Sequence, residues 1–261
     1  MNQFEFFKNY KNFASKIRYI TSDTLLRELK STSSAEIKKT LMLRIVEDLV
    51  SSTEDLAMWL ITIHSRNDGN KKFRDEWERL LFTQVNQEQS RKILSDYSRI
   101  KTINGFLKKM NFPTIKQLKE KLRTEEKMVN DAVEAIIHTI ETALKTRVDE
   151  DRIVERFQNK IKHGMMVYSD IDTSNSWVRD FSVKQTKKNG RIVKKNRNFE
   201  IPIDLGKAER IVGTIKANAQ GIEALINLLL IDYEYRIESR KIKMWEKNRE
   251  KCLNEIKKAL G

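Results

Sequence analysis

Two prolines and eight glycines in 261 residues leave this chain few places to turn. Proline breaks a helix by removing an N–H donor and crowding the preceding turn, and glycine weakens one through backbone entropy. A chain poor in both is predicted to run in long uninterrupted helices. At this length it can bury a sizeable core, and we expect one mainly α domain over 1–261, with a bundle core over 34–235.

Hydrophobic periodicity sets out the helices. From about Ser34 to Arg66, Met42, Ile45, Leu49, Leu56, Leu60 and Ile63 form one apolar stripe, with Ser33–Ser34 and Glu36 as start signals. A second long helix is predicted from Thr114, just after Pro113, to about Arg147, with Val129, Val133, Ile136, Ile140 and Leu144 inward. Asp149 to Asp151 restart a third. A fourth begins after Gly206, where Val212, Ile215, Ala219, Ile222, Ile226, Leu229 and Tyr233 alternate spacings of three and four. That heptad seam suits a bundle core and a two-fold partner equally. Shorter amphipathic segments fill Phe4–Ile20, Lys71–Val85 and Gln87–Ile100, a loop is expected at Asn104–Gly105, and 239–261 reads as a basic C-terminal helix.

One segment has a different period. Across 176–204, Trp177, Phe181, Val183 and then Phe199, Ile201, Ile203 alternate on either side of Asn189–Gly190, the pattern of an inserted β-hairpin. A strict two-residue turn would set Phe181 opposite Asn198 and Asp180 opposite Phe199, dividing the apolar residues between two faces. A longer loop or a bulge is therefore expected. Pro202 confines the second strand to an edge.

Charge concentrates there. From Arg179 to Arg197 there are eight Lys or Arg and one Asp, about half of the chain's net +14. Lys184, Lys187, Lys188, Arg191, Lys194, Lys195 and Arg197 form a candidate nucleic-acid-binding arm that could track a phosphate backbone. The plainer reading is an edge hairpin guarded by lysines against aggregation. Trp177 and Phe181 are expected to pack on the bundle, with base stacking as the alternative. The overall balance favours a polyanionic partner: RNA, DNA or an anionic membrane surface.

The remaining composition narrows the classes. Cys252 is the only cysteine, so no intrachain disulfide framework exists, in keeping with a reducing cytosol. "MNQFEFFKNYKNF" has charges inside its apolar pattern and no small-residue cleavage site, and no apolar run approaches the ~20 residues of a membrane span. A cytoplasmic protein without a membrane partner is expected. One Cys and three scattered His offer no zinc spacing, and Asp170 and Asp172 are weak support for a divalent-metal site. No metal and no cofactor are expected.

The remaining chemistry lies in "VERFQNKIKHGMMVY", Val154 to Tyr168. On a helix, residues seven apart lie within about 20° around the axis and about 10 Å along it. Arg156, Lys160 and His163 thus form one row, with Asn159 beside it and Lys162 adding charge. The core line is Ile153, Phe157, Ile161 and Met165, which sets the row at the rim of the buried face. Histidine can move the 2′-OH and leaving-group protons of RNA at cytosolic pH, and Arg and Lys can hold the phosphoryl charge. A solvated basic face would look the same.

The Arg156-to-His163 spacing, with six intervening residues, and the text "NKIKHG" resemble the HEPN superfamily, helical-bundle proteins whose signature is Arg, four to six residues, then His near the start of a late helix. "VSSTEDLAMWL" (Val50 to Leu60) is similar to the acidic-plus-apolar early helix of such proteins, and the resemblance loosely covers Ser34–Tyr235. It implies an antiparallel helical bundle and a homodimer that brings two motifs together. It also implies metal-independent endoribonuclease activity, of the kind found in toxin–antitoxin and anti-phage systems, with an antitoxin or defence-system protein as a further partner. His163 would be the acid–base group, Arg156 the phosphate clamp, and Asn159 and Lys160 the flanking catalytic residues. Family ribonucleases commonly carry a polar residue after the Arg, where this chain has Phe157. That departure motivates the alternative, a non-catalytic nucleic-acid-binding or protein-interaction bundle with a vestigial motif.

Of the other candidates, His64 continues an apolar stripe at a helix C-terminus and reads as packing or capping. His138 shares a face with Glu134 and Glu141 and reads as solvated. Glu54 and Asp55 read as a rim charge pair that could orient Arg156 or His163.

Overall fold

The computed structural model describes residues 3–65, 83, 85–122, 126–149, 168–169, 177–188, 191–202 and 204–260. It is mainly helical. Helix α1 (Gln3–Asn12) leads through a 3-10 turn (Ala14–Lys16) into α2 (Ile17–Ser31) and the long α3 (Ala35–His64). There follow α4 (Gln87–Ser98), α5 (Ile103–Lys109), α6 (Ile115–Leu122) and α7 (Glu126–Asp149). Strands β1 (Tyr168–Ser169), β2 (Trp177–Lys188) and β3 (Arg191–Pro202) precede the 56-residue α8 (Leu205–Leu260).

Side-chain caps start several of these helices. Ser34 accepts the Ile37 N–H at the head of α3, and at α4 Asn86 and Gln89 form a reciprocal capping box. The stripe on α3 is buried along its whole length, from Met42 to Ile63. Its first half packs with Leu26 and Leu29 of α2 and with Ala208, Ile211, Val212 and Ile215 of α8. Its second half packs with Phe7, Leu94, Phe106, Val133, Ile136 and the Ile222–Leu229 turns of α8. The early half of α3 thus meets the early part of α8, and the late half meets the later part. These two helices run parallel, where an antiparallel bundle was expected. Helices α2 and α7 run antiparallel to α8, through Lys30–Glu209 and through Thr146 Oγ1 at 2.9 Å from Thr214 Oγ1. The antiparallel description therefore holds for the outer helices only.

Several expected boundaries move. Phe4–Ile20 is broken: Phe13 ends α1, Ser15 Oγ donates back to Lys11 O at 2.9 Å, and α2 continues to Ser31. The break lets Phe7 and Tyr10 reach Trp59 while Leu26 and Leu29 fill the other cluster. Asn104–Gly105, expected as a loop, lies inside α5, where Thr102 caps the Gly105 N–H. A Cβ at 105 would stand 2.7 Å from Thr102 Oγ1, so the glycine is part of the cap. Just past the C-cap Met110 of α5, Asn111 has a left-handed φ of 53°, with Phe112 N donating to Leu107 O and Asn111 N to Lys108 O. That is a Schellman stop. The helix expected over 114–147 is described as two, α6 and α7, with 123–125 outside the described residues. Helix α7 is described to Asp149, and the restart expected over Asp149 to Asp151 falls with 150–167 outside the described residues, as do 66–82, the greater part of the Lys71–Val85 segment. The basic helix expected over 239–261 is the continuation of α8.

The heptad seam on α8 is consumed within the chain. Val212, Ile215, Ala219, Ile222, Ile226 and Leu229 are all buried in the bundle, and Tyr233 stacks on Phe7. The seam is therefore closed to a two-fold partner.

The strands form one sheet in the order β1-β2-β3, with β3 and its Pro202 at an edge. Strands β2 and β3 pair one to one from Trp177↔Pro202 to Lys188↔Arg191, including Phe181↔Asn198 and Asp180↔Phe199. The expected bulge or longer loop is not there. The ladder needs only its backbone partners, and apolar residues at its open end fall on both faces by alternation.

Helices α7 and α8 approach closely at Gly221, where a Cβ would lie 2.7 Å from Thr139 Cγ2, whereas a Cβ at Gly213 would meet nothing. Gly221→Ala is expected to lower stability by about 1–3 kcal/mol through overpacking. Gly213→Ala, on the same helix, is expected to raise it by about 0.5–1 kcal/mol. Urea denaturation midpoints of the two variants check both signs.

Candidate functional site

The expected catalytic residues Arg156, Asn159, Lys160 and His163, with Lys162, lie outside the described residues, as do Asp170 and Asp172. Their flanks are placed. Helix α7 ends at Asp149 and α8 begins at Leu205, and Thr146 meets Thr214 near those two ends. The two flanks of segment 150–204 therefore lie at one end of the bundle. Lys30–Glu209 puts the C-terminal end of α2 there too.

The register sorts the cations of the arm. Strand alternation places Lys184↔Lys195, Ser182↔Arg197 and Lys188↔Arg191 on one face, with Thr186↔Val193 between them. The other face holds Lys187↔Ile192, Gln185↔Lys194 and Arg179↔Glu200. In the Cα register, two of these same-face pairs match Lys with Lys or Arg. Arg179 differs, since its register partner is Glu200. Trp177 and Phe181 share the less basic face by alternation.

In the bundle, a polar layer separates the two apolar clusters. The fully buried Asn218 donates from Nδ2 to Ser52 Oγ at 3.0 Å and to Thr53 Oγ1 at 3.4 Å. Both hydroxyls donate onward to Leu49 O. Close by, Ser22 Oγ donates to Asp48 Oδ2 at 2.7 Å, and Arg18 Nε donates to Asp55 Oδ2 at 2.5 Å. Burial raises the Asp48 carboxyl above its ordinary value, against the opposing pull of the Ser22 hydrogen bond and the Arg18 and Arg44 charges. Burial works against the Arg18 charge, yet the hydrogen bond and charge of Asp55 outweigh it and hold the guanidinium protonated. Burial also raises the Tyr10 phenol, with Trp59 acting in the opposite sense.

Asp55 is thus engaged with Arg18 of α2. His64 lies within hydrogen-bond distance of the Lys109 carbonyl, Nδ1 to O 2.9 Å, and edges onto Tyr97, joining α3 to the end of α5 as a packing histidine. His138 is exposed. Sequence reasoning missed Arg18, Asp48 and Asn218. Asp48 follows Ile45 by three and precedes Ser52 by four, so a carboxylate on a buried stripe was the readable signal. Arg18 carried none, because only the break at Phe13 turns it towards α3.

Comparison with protein-family models, curated proteins and solved structures returned no match. No helix among the described residues is long and apolar enough to cross a membrane, and none of their His, Cys, Asp and Glu side chains cluster in a metal-holding group of three.

Asp48 gives a pH signature. Its folded pKa is raised, so its contribution to stability is complete below the ordinary value of 3.8 and is lost as pH rises through the raised folded value. The melting temperature of Asp48→Asn relative to wild type should climb across that window and then level off. A flat difference across it would exclude the assignment.

Proposed function

We propose that this protein is an RNA-binding helical bundle of HEPN-like type whose basic strand pair, inserted between α7 and α8, grips the phosphate backbone. The observation that carries the reading is the pair of like-charged cross-strand positions, Lys184↔Lys195 and Lys188↔Arg191, with Arg197 on the same face. Like charges facing each other destabilise a ladder unless an anion lies across them. Same-face positions recur about every 7 Å along a strand, a step of the same order as the distance between successive phosphates of an extended nucleic acid. An edge strand guarded by lysines needs charge, but it does not need cations stacked opposite cations.

On this reading the motif at Arg156 and His163 acts on the bound strand. His163 accepts the 2′-OH proton as the 2′-oxygen bonds to phosphorus, Arg156 holds the phosphoryl charge, and the P–O5′ bond breaks as the leaving oxygen is protonated. One imidazole cannot do both proton transfers at once. A second copy of the chain supplies the other, and Asn159, Lys160 and Lys162 steady the phosphate. Because α8's heptad is buried, that dimer forms on another surface. The alternative, a binder that leaves RNA intact, rests on Phe157.

Two measurements decide. Replacing Lys184, Lys195 and Arg197 together by Gln should weaken binding of single-stranded RNA. By fluorescence anisotropy across a salt series, it should also flatten the slope of log K against log salt by about 2. An unchanged slope removes the arm from the interface. His163→Ala should abolish cleavage and the 2′,3′-cyclic phosphate end while leaving RNA affinity and circular dichroism as in wild type. Equal cleavage by the variant would remove His163 from the mechanism, and wild-type binding without any product would leave the non-catalytic reading.

A further inference from the structure

The bundle packs its two apolar clusters down to almost no exposure, yet it leaves a cavity of about 320 Å³ between the α1–α2 break and the α3–α8 pair. Ligand pockets start at about 300 Å³, so this one accommodates a single ring or a fused pair. Its floor is apolar, made by Ile215, Ala219 and Ile222 of α8, and its polar wall is Tyr10, Arg18 and Asp55.

The wall is built around one guanidinium. Arg18 Nε is occupied by Asp55 Oδ2, and neither Nη group has a hydrogen-bond partner among the described residues. The Asp55 contact fixes the plane of the fork, and the two Nη groups then present parallel donors, the geometry that takes a carboxylate or phosphate bidentately. A half-exposed ion pair of this kind adds little to stability, so folding alone does not account for it. Next to the mouth, Ile17 is 43% exposed, and on the adjoining turns Phe13 and Ile20 are 67% and 52% exposed, apolar surface that a bound body could cover. Asp55 is the one carboxylate in the cavity lining, and its contact is with Nε rather than with the Nη edge.

We propose that this cavity binds a small organic anion, its oxyanion head on the Nη edge of Arg18 and its flat apolar body on the Ile215–Ala219–Ile222 floor. The site is separate from the basic arm and stands whether or not the protein binds RNA.

Isothermal titration of the full chain with 2-naphthoate, 2-naphthyl phosphate and neutral 2-naphthalenemethanol tests it. At least one anion should bind saturably, at least about tenfold more tightly than the alcohol, a difference of about 1.4 kcal/mol. The preferred anion identifies the head as carboxylate or phosphate. Arg18→Gln should lose about tenfold or more for the anion and little for the alcohol. Ala219→Leu, which fills the floor and leaves Arg18 in place, should lose all three probes and keeps the test alive if Arg18→Gln loosens the fold. The proposal is overturned if neither anion binds below about 1 mM, if the alcohol binds as well as the anions, or if affinity survives both substitutions.

Discussion

The parallel contact of α3 with α8 is the constraint on which the rest of the bundle depends. Apolar packing alone would tolerate sliding one helix past the other, because aliphatic stripes look alike from one turn to the next. The amide of Asn218, lodged between Ser52 and Thr53, removes that freedom. Shifted by a turn, it would face aliphatic side chains with its hydrogen bonds unmade, at a cost of about 1–3 kcal/mol. A polar group placed this way selects one register more than it adds stability. With α3 and α8 aligned in the same direction, the chain between them must travel back along the bundle. Helix α7 does so, and its last described turns lie beside the start of α8.

Charge is distributed just as unevenly. In the bundle, cations meet carboxylates: Lys16 with Glu223, Lys30 with Glu209, Lys101 with Glu141, Lys119 with Glu126 and Arg236 with Asp232. Residues 177–202 hold eight Lys or Arg against Asp180 and Glu200. A local surplus of that size acts on the rate at which any polyanion arrives as well as on how tightly it stays. Screening by salt weakens such a surplus.

Much of the helical architecture was legible because amphipathic stripes report burial directly. The α3 residues Met42 to Ile63 and the α8 residues Val212 to Leu229 are core in the structure and periodic in the text. Helix direction was less legible, since a stripe says which side is buried and nothing about which way a neighbour runs. Asn104 and Gly105 read as a loop because turn residues and cap residues are the same amino acids, and only the Thr102 hydroxyl tells them apart. The strand register went astray for a related reason: alternation was weighed as if one face had to be apolar throughout, whereas backbone pairing needs no such face. Arg18 was invisible as a site residue because its partner Asp55 lies 37 positions away on another helix. The motif at His163 rests on the sequence.

Helix α8 has one more consequence. Its last buried aliphatic side chain among the described residues is Leu229, and from Arg240 to Glu250 every described side chain is exposed. At 1.5 Å per residue, the final 25 residues of the helix span about 37 Å. Rigid-body geometry then makes this extension a lever. A tilt of about 5° in the last packed turn swings the tip through roughly 3 Å over that span. A side-chain-sized adjustment where α8 meets α1 and α7 would thus be read out at its far end as a displacement large enough to make or break a contact.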